Sequence, residues 1–128
     1  MSWQVIGAVF FGGGLGAVAR LGLGTAVGHW AGTAFPWGTL TVNLLGCLMM
    51  GVLVGLFAFA WSPGPAGRAF LTVGVLGGFT TFSAFAADTI LLADRGEGLA
   101  AASYVALSAL GCVAVAFLGL RLVRMVLS

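Results

Sequence analysis

Residues 74–85 read Gly74-Val75-Leu76-Gly77-Gly78-Phe79-Thr80-Thr81-Phe82-Ser83-Ala84-Phe85, and no Asp, Glu, Lys or Arg occurs from 69 to 87. Adjacent glycines followed closely by two β-branched threonines make a poor helix centre. Backbone groups that a helix break leaves unpaired are tolerated at membrane depth only where they are buried or line a cavity. The stretch therefore predicts an interrupted membrane helix, at which freed carbonyls can hold a cation or freed donors can face an anion.

The rest of the chain is equally poor in charge. Of its 128 residues, 61% are hydrophobic and 6% are charged, against roughly 25% charged residues in soluble domains. This composition excludes a water-soluble fold and a disordered chain. Charge-free stretches at 1–19, 21–67, 69–87 and 98–120 leave room for four crossings of about 20 residues each. We predict an all-α integral membrane protein, a single domain over 1–128 with helices at about 3–28, 37–60, 68–93 and 99–124.

The arginines give a weak orientation signal. Four crossings place both termini on one side with Arg68, Arg121 and Arg124, and leave Arg20 and Arg95 for the other side. Because positive residues favour the cytoplasmic side, a bias of three against two permits insertion in both orientations. Dual topology is therefore a hypothesis from the sequence.

Glycine is frequent, with 22 copies, and small residues let membrane helices approach closely. Three pairs have the GxxxG spacing: Gly12 and Gly16, Gly24 and Gly28, Gly51 and Gly55. These pairs predict tight helix packing. Four helices alone rarely enclose an aqueous path, so we also expect the chain to oligomerise.

The sequence lacks the groups that catalysis or nucleic-acid binding needs. It has no Lys, no basic run and no cluster of His, Cys and carboxylates with metal-ligand spacing. We therefore expect neither an enzyme nor a nucleic-acid partner. The roles of His29, Asp88 and Asp94 stay open, and Cys47 and Cys112 are interpreted as small buried thiols.

Neutral polar residues and aromatic rings favour transport of a small solute. Thr39 and Asn43 share one helix face, as do Tyr104, Ser108 and Cys112 on the last helix. Each set can join helices or donate to a passing solute. Phe82 and Phe85 also share a face, where they can pack or turn their positive ring edges toward an anion. Arg20 can snorkel to the interface or form an electropositive vestibule.

Three blocks of this sequence resemble the Fluc family of fluoride channels, also called CrcB-like proteins. They are Gly13-Gly14-Leu15-Gly16-Ala17-Val18-Ala19-Arg20, Gly38-Thr39-Leu40-Thr41-Val42-Asn43-Leu44-Leu45-Gly46 and Gly77-Gly78-Phe79-Thr80-Thr81-Phe82-Ser83-Ala84-Phe85. The resemblance covers essentially the whole chain, and the third block is the most specific.

The resemblance implies an antiparallel, dual-topology homodimer with two fluoride pores in a bacterial inner membrane. It implies a structural Na⁺ at the dimer interface, held by the backbone carbonyls of Gly77 and Thr80 from each subunit. It also implies pore roles for a set of side chains that are mostly neutral donors or rings: Asn43, Phe82, Phe85, Ser83, Thr39, Tyr104 and Ser108. Cys112 departs from the family's pattern, which has a hydroxyl residue at this position, and a thiol is a weaker donor.

The predicted function is passive, fluoride-selective export of cytoplasmic fluoride, which gives fluoride resistance. The alternative is a proton-coupled exporter of small solutes, of the small multidrug type. Such exporters need a carboxylate in the membrane interior, and the first, second and fourth segments contain none. A membrane subunit without transport of its own is a third possibility.

Overall fold

The computed structural model describes residues 1–128, and all of its regular secondary structure is helical. Its helices are α1 (Trp3–Ala31), α2 (Trp37–Phe59), α3 (Pro65–Ala69), α4 (Gly77–Phe79), α5 (Phe82–Asp94) and α6 (Gly98–Leu127), with a π-helical segment at Phe70–Leu76. Four helical stretches are long and apolar enough to cross a membrane: Trp3–Ala31, Trp37–Phe59, Pro65–Asp94 and Gly98–Leu127. This confirms the prediction of an all-α protein with four membrane-spanning stretches. Their ends differ from the sequence-based boundaries by at most three residues.

Glycines set the closest helix contacts. A Cβ on Gly12 or Gly16 would collide with the third span, and a Cβ on Gly51 or Gly55 would collide with α6. These two GxxxG pairs therefore bring backbones together, as small residues do in membranes. Gly24 and Gly28 differ, because a Cβ on either would meet nothing within 4 Å. Both line an open cleft.

The third span changes its neighbour part-way along. Its first half, made of α3, the π-helical segment and α4, contacts α1. Its second half, α5, contacts α6 and does not contact α1. Helix α2 touches both halves. The change of neighbour falls at Thr80 and Thr81, whose backbone is extended.

The buried core of a single chain is small. One cluster joins α2, α5 and α6 through Leu40, Leu92, Ala101 and Tyr104. Many large apolar side chains of the four spans are exposed on the surface of a single chain. Such a surface suits contact with lipid tails or with another membrane protein.

Candidate functional site

The site is built around the two extended residues between α4 and α5. The Thr80 hydroxyl donates to the Leu76 carbonyl (2.9 Å), which ends the preceding helical turn. The Thr81 hydroxyl accepts from the Ala84 N–H (3.1 Å) and so caps the N-terminus of α5. The Thr81 bond satisfies a backbone N–H at the start of α5, whereas the Thr80 hydroxyl adds a second bond to the Leu76 carbonyl, which also accepts from the Thr80 N–H (3.0 Å).

Asn43 of α2 supports the junction from the side. Its Oδ1 accepts from the Thr81 N–H (2.8 Å) and its Nδ2 donates to the Thr81 carbonyl (3.0 Å). The buried Asn43 amide therefore satisfies both backbone groups of one residue. A primary amide has two N–H donors, so one N–H of Asn43 is left beyond these two bonds.

The bond to Asn43 frees a carbonyl in α4. In a continuous α-helix the Thr81 N–H would donate to the Gly77 carbonyl, but here it donates to Asn43. Gly77 itself is exposed, and a Cβ added to it would meet only the Thr72 carbonyl oxygen, at 3.5 Å. The neighbouring Gly78 is crowded, because a Cβ there would collide with the Gly13 carbonyl of α1.

Arg20 of α1 reaches the same junction. Its Nε donates to the Gly78 carbonyl (3.0 Å), at the C-terminal end of α4. A cation is favourable there because helix carbonyls end unpaired. The sequence predicts Arg20 near the end of the first helix, whereas the structure places it eleven residues before Ala31. Its bond to Gly78 holds it beside the middle of the third span.

A polar cleft of about 400 Å³ lies on the Arg20 side of the junction. Polar residues that line it are Arg20, Thr25, Thr33, Thr39 and Thr81. The only ion pair of the chain joins Arg95 and Glu97 (3.6 Å), so no carboxylate pairs with Arg20. The cleft is therefore an electropositive recess lined by hydroxyl groups.

A groove of about 500 Å³ lies on the other side of Thr81 and contains no charged residue. It is lined by Asn43, Cys47, Thr80, Thr81, Phe82, Phe85, Val105, Ser108, Ala109, Cys112 and Val113. The rings of Phe82 and Phe85 are 5.3 Å apart between centroids. Ser108 is 6% exposed, and its hydroxyl has no hydrogen-bond partner in the chain. A buried hydroxyl without a partner is uncommon in folded proteins, and this one belongs to a residue that lines the groove.

The structure thus brings five of the predicted pore residues to one groove and places the other three around it. Asn43, Phe82, Phe85, Ser108 and Cys112 line the groove. Thr39 lies in the cleft. Ser83 is exposed, with its Oγ 3.3 Å from the Thr81 Oγ1, and Tyr104 is buried behind Phe85.

Tyr104 and Asp88 form a contact that the sequence does not predict. The Tyr104 hydroxyl donates to the Asp88 Oδ2 (3.1 Å). The Tyr104 ring is 5.2 Å from that of Phe85 and 5.5 Å from that of Phe35, between centroids. The hydrogen-bonded Tyr104 therefore packs against the Phe85 ring, which lines the groove. The only sequence signal is that Asp88 follows Phe85 at a spacing of three, which places the two on one helix face.

The remaining candidates lie away from the junction. His29 is exposed near the end of α1, and Asp94 is exposed at the end of α5. Arg95 donates to the Ala34 carbonyl (3.0 Å), which joins the α5–α6 connection to the α1–α2 connection. None of the three lines the cleft or the groove.

The sequence of this chain is similar to a known family over most of its length. Residues 7–120 match the family model described as "CrcB-like protein, Camphor Resistance (CrcB)". A protein of Rhodospirillum centenum named fluoride-specific ion channel FluC is 59% identical over 121 residues, which cover 94% of this chain and 96% of that protein. A protein of the same name from Nitrobacter winogradskyi is 47% identical over 126 residues, covering 98% of this chain and 100% of its own length. The match over nearly the whole length means that this chain belongs to the CrcB-like protein family.

Proposed function

We propose that this chain is a passive, fluoride-selective channel that lets cytoplasmic fluoride leave the cell and so gives fluoride resistance. The observation that carries the proposal is the charge-free groove, in which the buried Ser108 hydroxyl has no partner in the chain. The names of the two relatives support the choice of fluoride.

The groove has the donors that a small anion needs. Fluoride is strongly hydrated, so a pore has to replace its water with several hydrogen-bond donors. The remaining N–H of Asn43, the Ser108 hydroxyl and the positive edges of the Phe82 and Phe85 rings can supply them. Because no cation lines the groove, an anion held there is not trapped by a full charge.

Tyr104, Thr39 and Ser83 extend this path in our proposal. Tyr104, Ser108 and Cys112 follow one another at intervals of four along α6 and so share one face. Thr39 faces the Arg20 cleft, where we place the vestibule that concentrates anions. Export then needs no coupling ion, because an inside-negative potential drives an anion outward.

We infer that the working unit is an antiparallel homodimer in a bacterial inner membrane, with lipid around it. In a single chain Phe82 is 82% exposed and Gly77 is uncovered, although both lie at the junction of the third span. A second copy inserted in the opposite orientation would cover this surface and close two grooves, one per subunit. The weak arginine bias supports insertion in both orientations.

A structural Na⁺ fits this assembly. Oxygen ligands suit hard cations. The Gly77 carbonyl lacks its usual helical donor, because the Thr81 N–H donates to the Asn43 Oδ1 instead. The Thr80 carbonyl belongs to the extended junction. Two subunits would therefore offer four backbone oxygens, and the bound charge would hold the two junctions together.

Substitution of Gly77 tests the dimer. Within one chain Gly77 has room for a Cβ, whereas Gly78 does not. We therefore expect Gly77→Leu to reduce the dimer fraction in detergent while the monomer stays helical, and Gly78→Leu to unfold the chain itself. A Gly77→Leu protein that remains a fully active dimer would contradict the proposed interface.

The channel is tested by fluoride efflux from liposomes that contain only the purified protein. A fluoride electrode follows efflux after valinomycin is added in a K⁺ gradient, and chloride is the control anion. We expect fast, valinomycin-dependent fluoride efflux with little chloride efflux. A verified, folded dimer that releases no fluoride would contradict the proposal.

The second candidate is the proton-coupled small-solute exporter. Asp88 is the observation that favours it, because this half-buried carboxylate lies within the third span. The same liposomes distinguish the two candidates. Uptake driven by a pH gradient and lost in Asp88→Asn would support the exporter, whereas efflux that depends on valinomycin alone supports the channel.

A further inference from the structure

The two cysteines of the chain lie on α2 and α6, two helices that pack against each other. Cys47 and Cys112 are both free, and both line the groove. They also line a second cavity of about 300 Å³ on its far side. Neighbouring contacts fix the alignment of the two helices. Leu44 lies against Gly111 on one side of the cysteines, and Gly51 lies against Ala116 on the other.

The surroundings of this thiol pair restrict what it can bind. No group of three or more His, Cys, Asp or Glu side chains comes together anywhere in the chain. Structural zinc requires four such ligands, so zinc does not suit the pair. Thiolates prefer soft metal ions. A soft ion that is satisfied by two sulfur ligands is the class that fits.

Charge selects further among soft ions. We propose that Cys47 and Cys112 form a two-thiolate site for a soft divalent cation, with Hg(II) as its simplest example. Each thiol loses one proton on binding, so one Hg²⁺ ion displaces two protons and forms two Hg–S bonds. The resulting complex is neutral. A neutral complex suits this region, because no charged residue lines the groove or the second cavity and an unpaired charge at membrane depth is costly.

The bound ion would lie inside the groove. Ser108 is one helical turn before Cys112 on α6, and its unpaired hydroxyl lines the same groove. An ion between the two sulfur atoms therefore occupies space beside Ser108. If the groove conducts fluoride, as proposed above, the ion obstructs it. This second effect rests on the proposed function, whereas the binding itself does not.

Binding is tested with HgCl₂ on the purified full-length protein in detergent. We expect one ion per chain, two protons released per ion, and retention of the ion against a competing monothiol. The variants Cys47→Ser and Cys112→Ser should each release one proton per ion. They should lose the bound Hg(II) at roughly 100-fold lower competitor concentration, because a second tethered ligand raises the overall affinity by about that factor.

A matched control keeps two thiols in the chain but separates them. Leu110 is 72% exposed on α6, two residues from Cys112, and successive helix positions are about 100° apart. The double variant Cys112→Ser/Leu110→Cys should therefore behave as two independent single thiols. Equal retention of Hg(II) by this variant and the natural chain, or release of a single proton by the natural chain, would overturn the proposal.

Fluoride efflux then tests where the ion lies. HgCl₂ should block efflux from liposomes with the natural chain, whereas the efflux rate of Cys47→Ser/Cys112→Ser should stay at that variant's own rate before HgCl₂ is added. A loaded natural chain that still releases fluoride at full rate would contradict a position inside the groove. Absence of efflux before any HgCl₂ is added would instead contradict the proposed channel, and proton release would still decide whether the metal site exists.

Discussion

The cleft beside Arg20 and the groove beside Ser108 lie on the two sides of Thr81, and they differ in charge. The cleft holds a guanidinium that has no carboxylate partner. The groove holds hydroxyls, an amide, two thiols and two phenyl rings, and no charge. A fixed positive charge raises the local concentration of anions, while neutral donors replace water without holding an anion tightly. In the proposed channel this difference would serve two tasks, attraction of anions in the cleft and their dehydration in the groove.

Substitution of Asn43 should have the largest effect. Asn43 holds Thr81, the residue that lies between the cleft and the groove. Asn43→Ala leaves the N–H and the carbonyl of Thr81 without partners, at a cost of about 1–3 kcal/mol for each group. We expect loss of fluoride efflux and a clearly lower unfolding temperature in detergent. Asn43→Ser retains one hydroxyl and should be less damaged.

The control for Asn43 is Leu45→Ala, which shortens an exposed side chain on the same helix. It should leave both the unfolding temperature and the efflux rate near those of the natural chain. Full efflux from Asn43→Ala, equal to that of Asn43→Ser and of the natural chain, would show that a hydrogen bond from this position is not needed.

The two phenyl rings should matter for conduction more than for stability. Phe82→Ile and Phe85→Ile each remove a ring edge from the groove, and we expect fluoride efflux to fall about 100-fold, the scale of losing one preorganised donor. Phe85→Ile should also lower the stability of the chain by about 1 kcal/mol, because it ends the contact with Tyr104. Phe82→Ile should lower it by less, because its exposed ring contacts Phe85 but not Tyr104.

The lipid-facing control for these rings is Phe10→Ile, since Phe10 is 73% exposed on α1 and lies in neither region. Its efflux should match that of the natural chain. Undiminished efflux from both groove variants would remove the proposed role of the ring edges.

The sequence predicts the four spans well because transfer into lipid depends on composition along the chain. The interruption of a membrane helix within residues 74–85 stays a prediction from local propensity, and Thr80 and Thr81 in this stretch have extended backbones. The sequence does not predict that Asn43 bonds both backbone groups of Thr81, or that Asp88 accepts from Tyr104. Those contacts depend on how each helix is rotated about its axis. Hydropathy along these apolar helices carries little information on rotation, because lipid and protein surroundings are both apolar.

Removal of the Arg20 charge should weaken the attraction of anions into the cleft and leave the groove unchanged. Arg20→Gln keeps a donor for the Gly78 carbonyl but removes the charge. We expect fluoride efflux to fall about ten-fold at low ionic strength, the lower end of electrostatic focusing. The deficit should shrink as salt is added, because ions screen exposed charges.

Arg121→Gln is the matched charge removal, because Arg121 is exposed near the end of α6 and lines neither region. It should show no salt-dependent deficit. A deficit of Arg20→Gln that is the same at every salt concentration would assign Arg20 a structural role at Gly78 rather than an electrostatic one.

The smallest effect is expected for Ser108→Ala, and it tests the groove alone. Ser108 bonds to nothing in the chain, so its loss leaves no protein group unpaired and the unfolding temperature should not fall. Conduction should fall about five-fold, which corresponds to about 1 kcal/mol for one neutral hydrogen bond to the ion. Ser103→Ala, at an exposed position of the same helix, should change neither quantity. If Ser108→Ala conducts like the natural chain, the unpaired hydroxyl is not a fluoride donor, and dehydration in the groove rests on Asn43 and the two rings.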